Sequence, residues 1–165
     1  MKPITTYAVG FFLFLALFFT VSSGVTKADQ GAAPVSGTAF STVTGPDSAS
    51  GTAEFTIGDK AYTATFSLTF SIGAPDENGV SQTVSAHIFT VSRGGEVVGT
   101  FTTSDNGVLS FNNNGTATLN NTLNIVSGTG KFNHTTGTLY TVNNLDFTQN
   151  PPTATTTISG SVSKK

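Results

Sequence analysis

The amino-acid sequence predicts an all-β, antiparallel domain, and three features of the chain support that prediction. Apolar and hydroxyl-bearing side chains alternate over long segments, most clearly in residues 62–72, as they do in a strand with one buried face. Clusters of Gly, Asn, Asp and Pro divide these segments at short intervals, which is typical of an antiparallel sandwich or barrel. Long runs of the helix formers Ala, Leu, Glu and Lys do not occur.

The first residues have the layout of a secretory signal peptide rather than that of a strand. Lys2 precedes an apolar run over residues 9–21, and small residues follow that run. The run is shorter than the roughly 20 apolar residues of a membrane-spanning helix. We therefore assign residues 1–28 to a signal peptide, cleaved after Gly24 or after Ala28, and expect a secreted protein, either extracellular or in the cell envelope.

The charge of the chain excludes two classes of partner. Loss of Lys2 and Lys27 with the signal peptide leaves about five Lys and Arg side chains against nine Asp and Glu, a net charge of about −4. Nucleic acids and anionic membranes bind clustered Lys and Arg, so neither is expected as a partner of the mature chain. The sequence has no cysteine, so the fold has to rest on its hydrophobic core.

Residues 29–37 are predicted to be a flexible leader, and residues 38–165 to be the β-domain. Turn-forming clusters separate its strands, among them SDNG at residues 104–107. Periodicity gives about eight or nine strands and does not distinguish a barrel from a sandwich. The predicted strands cover residues 39–44, 53–57, 62–72, 81–91, 97–103, 108–111, 116–126, 138–147 and 153–162.

The clearest local prediction is a hairpin between the second and third of these strands. Gly58-Asp59 forms a two-residue loop of the kind that closes tight hairpins. In the register that this loop sets, Phe55 lies opposite Tyr62, and both belong to the apolar face of their strands. The turn and the alternation therefore predict the same pairing.

The segment 128–139, with sequence GTGKFNHTTGTL, is predicted to be a corner between two late strands. Its first glycines permit the backbone conformations of a sharp bend or bulge. Lys131 can then face outward while Phe132 re-enters the core. Gly137 allows the next strand to start close to its neighbour.

Residues 115–139, which contain this corner, resemble the late strands of the allene-oxide-cyclase-like barrel superfamily, which includes the plant dirigent proteins. In that group a strand runs into G-T-G-[KR]-F, and another glycine follows shortly afterwards. The stretch is also similar to secreted bacterial domains of unassigned role. The resemblance implies a single antiparallel eight-stranded barrel of the allene-oxide-cyclase-like type, with a central cavity, no cofactor and assembly as a homo-oligomer. Residues 36–50 contain no counterpart of the N-terminal acidic motif of those proteins, so no catalytic residue is carried over.

Four side chains are predicted to line a ligand site in the lumen: Tyr62, Phe66, His87 and Asn121. Tyr62 either donates a hydrogen bond to a ligand or belongs to the core with its hydroxyl at the rim. Asn121 is in phase with apolar neighbours, so its amide either points inward, where it needs a partner, or is turned outward by a bulge. His87 lies where the apolar phase of its strand changes, and a bulge there would bring the imidazole inward as an acid or base.

The acidic residues and histidines show no catalytic or metal-binding spacing. His87 and His134 are not arranged as zinc ligands. Asp105 is assigned to the SDNG turn and Asp146 to the outer face of its strand, so no carboxylate is predicted to face the lumen. The sequence therefore predicts neither a metal site nor a cofactor.

These features predict a secreted, non-catalytic barrel module that binds an apolar small molecule in its lumen or has a structural role at a surface. One alternative is a cofactor-independent cyclase or dirigent-like steering protein that acts on an apolar intermediate, and another is an adhesive or matrix protein. An open lumen favours binding or steering, whereas a lumen filled by Phe side chains favours the structural role. A lumenal Asp or Glu favours the enzyme.

Overall fold

Eight antiparallel strands close into one barrel in the computed structural model, which describes residues 31–112 and 114–164. The strands are β1 (Ala33–Gly45), β2 (Ser48–Ile57), β3 (Lys60–Ile72), β4 (Val80–Arg93), β5 (Glu96–Phe111), β6 (Thr116–Gly128), β7 (Thr135–Asp146) and β8 (Thr153–Lys164). Each pairs with the next along the chain, and β1 closes the barrel against β8. The prediction of a single all-β, eight-stranded antiparallel barrel is confirmed, and the predicted signal peptide lies outside the described residues. Among those residues, no helix has the length and apolar character needed to cross a membrane.

The hairpin of β2 and β3 has the predicted register. Phe55 pairs with Tyr62 across the two-residue turn, and the centroids of their rings lie 5.9 Å apart. Gly58 has a φ of 59°, in the left-handed region that glycine adopts without strain. A turn of fixed length and a clear apolar alternation are therefore sufficient to predict this pairing.

The first strand begins earlier than the sequence predicts. Residues 29–37 have the composition of a leader, but β1 starts at Ala33, which pairs with Val162 of β8. Val35 is buried and belongs to the hydrophobic core. The segment from Ala33 onward is part of the barrel because it covers the edges that β2 and β8 would otherwise expose.

The predicted turn at residues 104–107 is wrong, because β5 runs through it without interruption. Ser, Asp, Asn and Gly are good turn formers, but here all four pair with β6, and Asp105, Asn106 and Gly107 also pair with β4. Asp105, for example, pairs with Ser85 of β4 and with Leu123 of β6. Strand pairing therefore overrides the local turn preference, and Asp105 and Gly107 face the lumen.

The corner before β7 has the predicted form. A short 3₁₀ turn spans Gly130–Phe132, and Gly130 has a φ of 57°. Lys131 is exposed, and Phe132 returns to the core with 5% of its surface accessible. Gly137 lies so close to β8 that an added Cβ would be 2.3 Å from a backbone oxygen. The glycines of this segment thus allow both the bend and the close approach of the next strand.

The outer face of the barrel is almost uncharged. Outward positions along the middle of the strands carry Thr, Ser, Asn and scattered apolar side chains, and among the described residues Glu54 is the exception. Apart from the buried Asp105, the other charged side chains of the described residues lie at the two ends of the barrel. The end with the β1–β2, β3–β4 and β7–β8 loops, which we call the acidic end, has no Lys or Arg in the described chain and carries Asp47, Asp76, Glu77 and Asp146. The opposite end carries Asp59, Lys60, Arg93, Glu96, Lys131 and Lys164.

Aromatic rings fill the half of the lumen at the opposite end, which we call the aromatic base. Phe89 and Phe101 stack with centroids 4.5 Å apart, and Phe101 lies 5.4 Å from Phe132. Phe66 packs against Phe89 at 5.3 Å. Aliphatic side chains complete this core: Val35, Val91, Leu123, Ile125, Leu139 and Ile158. Filling by Phe side chains is therefore observed in one half of the barrel.

The last residue of β7, Asp146, has a carboxylate whose ionisation stabilises the folded state. The Thr148 hydroxyl and backbone N–H, and also the Gln149 amide, donate hydrogen bonds to Asp146 and hold the pKa of its carboxyl below the ordinary value of 3.8. Because the folded pKa is the lower one, this stabilisation is complete above the ordinary value and is lost as the pH falls through the folded pKa.

We expect Asp146→Asn to weaken the dependence of stability on pH below about pH 4. The measurement is the midpoint of thermal unfolding as a function of pH for both proteins. Thr148→Val, which removes the hydroxyl donor but keeps the carboxyl, should produce part of the same change. An acid profile that is identical in the wild type and both variants would contradict the assignment.

Candidate ligand site in the barrel lumen

Polar side chains line one wall of the lumen, between the aromatic base and the acidic end. They project inward from the adjacent strands β4, β5 and β6, in which every second residue faces inside. Cross-strand pairing places Ser85 beside Asp105, and it places Thr83, Gly107 and Asn121 in one row. We call this surface the polar wall, and its side chains are those of Thr83, Ser85, His87, Asp105 and Asn121.

The polar wall contains a hydrogen-bonded pair of His87 and Asp105. His87 Nδ1 lies 2.6 Å from Asp105 Oδ2, and the Ser85 hydroxyl donates to the same oxygen at 3.0 Å. The Asp105 side chain is fully buried, and that of His87 is 12% exposed. A buried carboxylate requires such partners. When Nδ1 donates to the carboxylate, the neutral imidazole carries its lone pair on Nε2.

The imidazole of His87 is held in place by its surroundings. Its ring stacks on Phe89 at 5.4 Å with an interplanar angle of 13°, and it lies 5.6 Å from Phe66. The His87 backbone N–H donates to Thr103 Oγ1 at 3.3 Å. The ring therefore lies on top of the aromatic base and forms the boundary between the two halves of the lumen.

His87 faces the lumen without the bulge on which the sequence interpretation depended. The register of β4 with β5 shifts only near Val91, beyond the histidine. The apparent phase change arises because Val84 and Ile88 lie on the outside, where they are 54% and 55% exposed. The inward positions of β4 near the acidic end are hydroxyl-bearing instead, so the more apolar face of this segment is the outer one.

Thr83 and Asn121 present buried polar atoms that lack partners. Thr83 Oγ1 and Asn121 Oδ1 make no hydrogen bond within the described part of the protein. Gly107 lies between them, and a Cβ there would be 1.8 Å from Asn121 Oδ1 and 2.7 Å from Thr83 Oγ1. The glycine thus leaves room for the carboxamide to lie against the strand. Neither strand that contacts β6 is bulged at Asn121, so the inward alternative is the one observed.

A cavity of about 110 Å³, which we call the mouth cavity, occupies the half of the lumen at the acidic end. It reaches the surface beside Ile72 and Phe147, which are 46% and 40% exposed. Its polar lining includes Thr83, Ser85, His87 and Asn121. Its apolar lining includes Leu68, Phe70, Leu109, Leu119 and Leu145. Ser41, Asn143 and Thr153 add polar groups from the other strands, so the cavity combines a mainly apolar surface with a few polar groups.

A smaller inner cavity, of about 50 Å³, lies deeper in the barrel and borders the aromatic base. Phe66, Phe89 and Phe101 line it, and His87 lines both cavities. Of the predicted ligand-binding residues, His87 and Asn121 therefore meet in the mouth cavity, and Phe66 meets His87 in the inner one. Tyr62 lies apart from both, at the opposite end, where Arg93 is 5.9 Å from its ring centroid.

The sequence interpretation missed Asp105 and Thr83. The sequence assigns Asp105 to the SDNG turn, whereas it is buried in β5 and bonded to His87. One available signal was its phase: Asp105 lies midway between Phe101 and Leu109 in a strict alternation, and both of those are core residues. Thr83 carries no comparable signal, because hydroxyl-bearing residues occupy both faces of this barrel.

The described residues contain no group of three or more His, Cys, Asp or Glu side chains that could hold a metal ion. Comparison of the chain with protein-family models, with curated proteins and with solved structures finds no match.

Proposed function

We propose that this protein is an exported barrel that binds a small, mainly apolar, oxygen-bearing molecule in its mouth cavity. The observation that carries the proposal is the pair of buried, unpartnered polar atoms, Thr83 Oγ1 and Asn121 Oδ1, in a cavity with apolar walls. Burying a polar group without a partner costs about 1–3 kcal/mol on the scale of protein mutations. A ligand hydroxyl would satisfy both atoms, since it can donate to Asn121 Oδ1 and accept from the Thr83 hydroxyl. A ligand carbonyl would instead accept from the Thr83 hydroxyl and from the amide N–H groups of Asn121.

The size of the cavity limits the ligand. Cavities of roughly 150 Å³ accept benzene, so about 110 Å³ suits a group of about five or six heavy atoms. A longer molecule would extend past Ile72 and Phe147 into solvent. We therefore propose a compact alcohol or ketone, or such a group at the end of a longer apolar molecule.

Two ligands of equal shape test this proposal: cyclopentanol and methylcyclopentane. Each is titrated into the purified protein while the side-chain amide resonances of asparagine are followed by NMR, and the ratio of the two dissociation constants is determined. We expect Asn121→Leu to change this ratio by about tenfold in favour of the hydrocarbon, because the hydroxyl of cyclopentanol loses its partner.

The neighbouring residue provides the control. Asn120 is exposed on the outer face of the same strand, so Asn120→Leu should leave the ratio unchanged. The proposal fails if cyclopentanol perturbs resonances of the outer face alone, or if Asn121→Leu and Asn120→Leu have equal effects. Export and kinship with allene-oxide-cyclase-like barrels remain part of the proposal, supported by the N-terminal sequence and by residues 115–139 respectively.

A further inference from the structure

We infer that His87 is an acid–base catalyst that moves a proton to and from a carbon atom next to the carbonyl group of a bound ketone. The inference rests on the proposed ligand site, because His87, Thr83 and Asn121 line the same mouth cavity. It assigns the reaction class: isomerisation or enolisation of a small carbonyl compound, without a cofactor.

Asp105 acts as a positioning residue. Its bond to Nδ1 fixes the tautomer that leaves the lone pair of the neutral ring on Nε2, and it stabilises the imidazolium that forms when Nε2 takes a proton. The Ser85 hydroxyl holds the same carboxylate oxygen. Because Asp105 does not line the mouth cavity, it acts on the substrate through His87 alone.

The chemical step balances within the site. Nε2 takes a proton from the carbon next to the carbonyl, the electrons of that C–H bond form a new C–C double bond, and the carbonyl π electrons move to oxygen. The Thr83 hydroxyl and the Asn121 amide are the available donors to this oxyanion. The imidazolium then returns a proton to carbon: at the same carbon this gives exchange once the Nε2 proton has been replaced from solvent, and at a conjugated carbon it gives an isomer.

Hydrolysis with a serine nucleophile fits the geometry less well. In such enzymes the histidine accepts the proton of the nucleophilic hydroxyl. Here the Ser85 hydroxyl donates to Asp105 instead, at 3.0 Å. Thr103, the other hydroxyl beside His87, is 2% exposed and accepts from the backbone of that residue. Proton transfer to and from carbon needs no nucleophile.

The test is exchange of the protons next to the carbonyl of cyclopentanone in deuterated buffer, followed by proton NMR, with binding measured in the same titration. We expect the protein to accelerate exchange by about 100-fold over free imidazole at equal concentration. His87→Gln should abolish the acceleration, and His134→Gln should retain it, since His134 is exposed in the corner before β7.

The Asp105→Asn variant distinguishes an effect on the positioning of His87 from an effect on the binding of cyclopentanone. An asparagine amide that donates to Nδ1 would place the ring proton on Nε2, so exchange should fall while the dissociation constant of cyclopentanone stays the same. If a variant does not fold, the ¹⁵N spectrum of His87 in the wild type provides a second measurement. It should show a proton on Nδ1 and a change at Nε2 when cyclopentanone is added.

The outcomes are distinguishable. Saturable binding of cyclopentanone with no acceleration, or an acceleration that His87→Gln retains, would overturn the catalytic role and leave the ligand site standing. Absence of binding to the mouth cavity would overturn both. A proton on Nε2 in the wild-type spectrum would also contradict the role of His87 as a base.

Discussion

Replacement of Phe101 by alanine is expected to lower the free energy of unfolding by about 3–5 kcal/mol, the range found when a large aromatic side chain is removed from a core. Phe101 is 3% exposed and contacts Phe89 and Phe132 at ring distances of 4.5 and 5.4 Å. Closed strand pairing on every side leaves the barrel little freedom to collapse around the resulting cavity.

Chemical denaturation of the two proteins gives the change directly. The matched control is Phe40→Ala, because Phe40 is on the outer face and 49% exposed. This substitution should change the free energy by no more than about 0.5 kcal/mol. Equal effects of the two substitutions would show that the aromatic base does not determine stability.

The second large effect is expected from Gly51→Ala. Gly51 faces the lumen from β2, and an added Cβ would lie 2.1 Å from the Phe40 carbonyl oxygen and 2.7 Å from Cζ of Phe66. The Phe66 ring could move, but the Phe40 backbone is held in the β1–β2 ladder. We expect a loss of about 3 kcal/mol, at the upper end of the usual cost of overpacking.

A thermal or denaturant melt of Gly51→Ala measures this loss. Gly31→Ala is the control, since a Cβ at Gly31 would meet no atom within 4 Å. If Gly51→Ala were as stable as the control, β1 and β2 would have to separate more easily than their pairing implies. A displaced Phe66 ring should also change the resonances of His87, which lies 5.6 Å from it.

The parts of the fold that the sequence predicts well are those with strong local signals. The register of Phe55 with Tyr62 follows from a two-residue turn and an apolar alternation, and both are contained in a short stretch of chain. The return of Phe132 to the core likewise follows from the glycines around it. In both places, the strand pairing and packing of the folded protein agree with what the local sequence predicts.

The candidate site was predicted in part. His87 and Asn121 were identified as lumenal candidates, but the partner of His87 was not, because Asp105 lies in a run of residues that individually favour turns. In β4 the usual burial of apolar side chains is also inverted. Val84 and Ile88 face outward, and Thr83 and Ser85 face the lumen. Such an inversion is visible only when neighbouring strands are in place.

The placement of charge has a consequence for which molecules reach the lumen. The mouth cavity lies in the half of the lumen at the acidic end, where the described chain carries four carboxylates and no Lys or Arg, and the almost neutral outer wall does not offset them. They produce a negative electrostatic potential at the entrance, which slows the approach of anions and attracts cations over about 8 Å at physiological salt. Fatty acids and other carboxylate ligands are therefore disfavoured before any contact is made, and neutral molecules enter without this penalty.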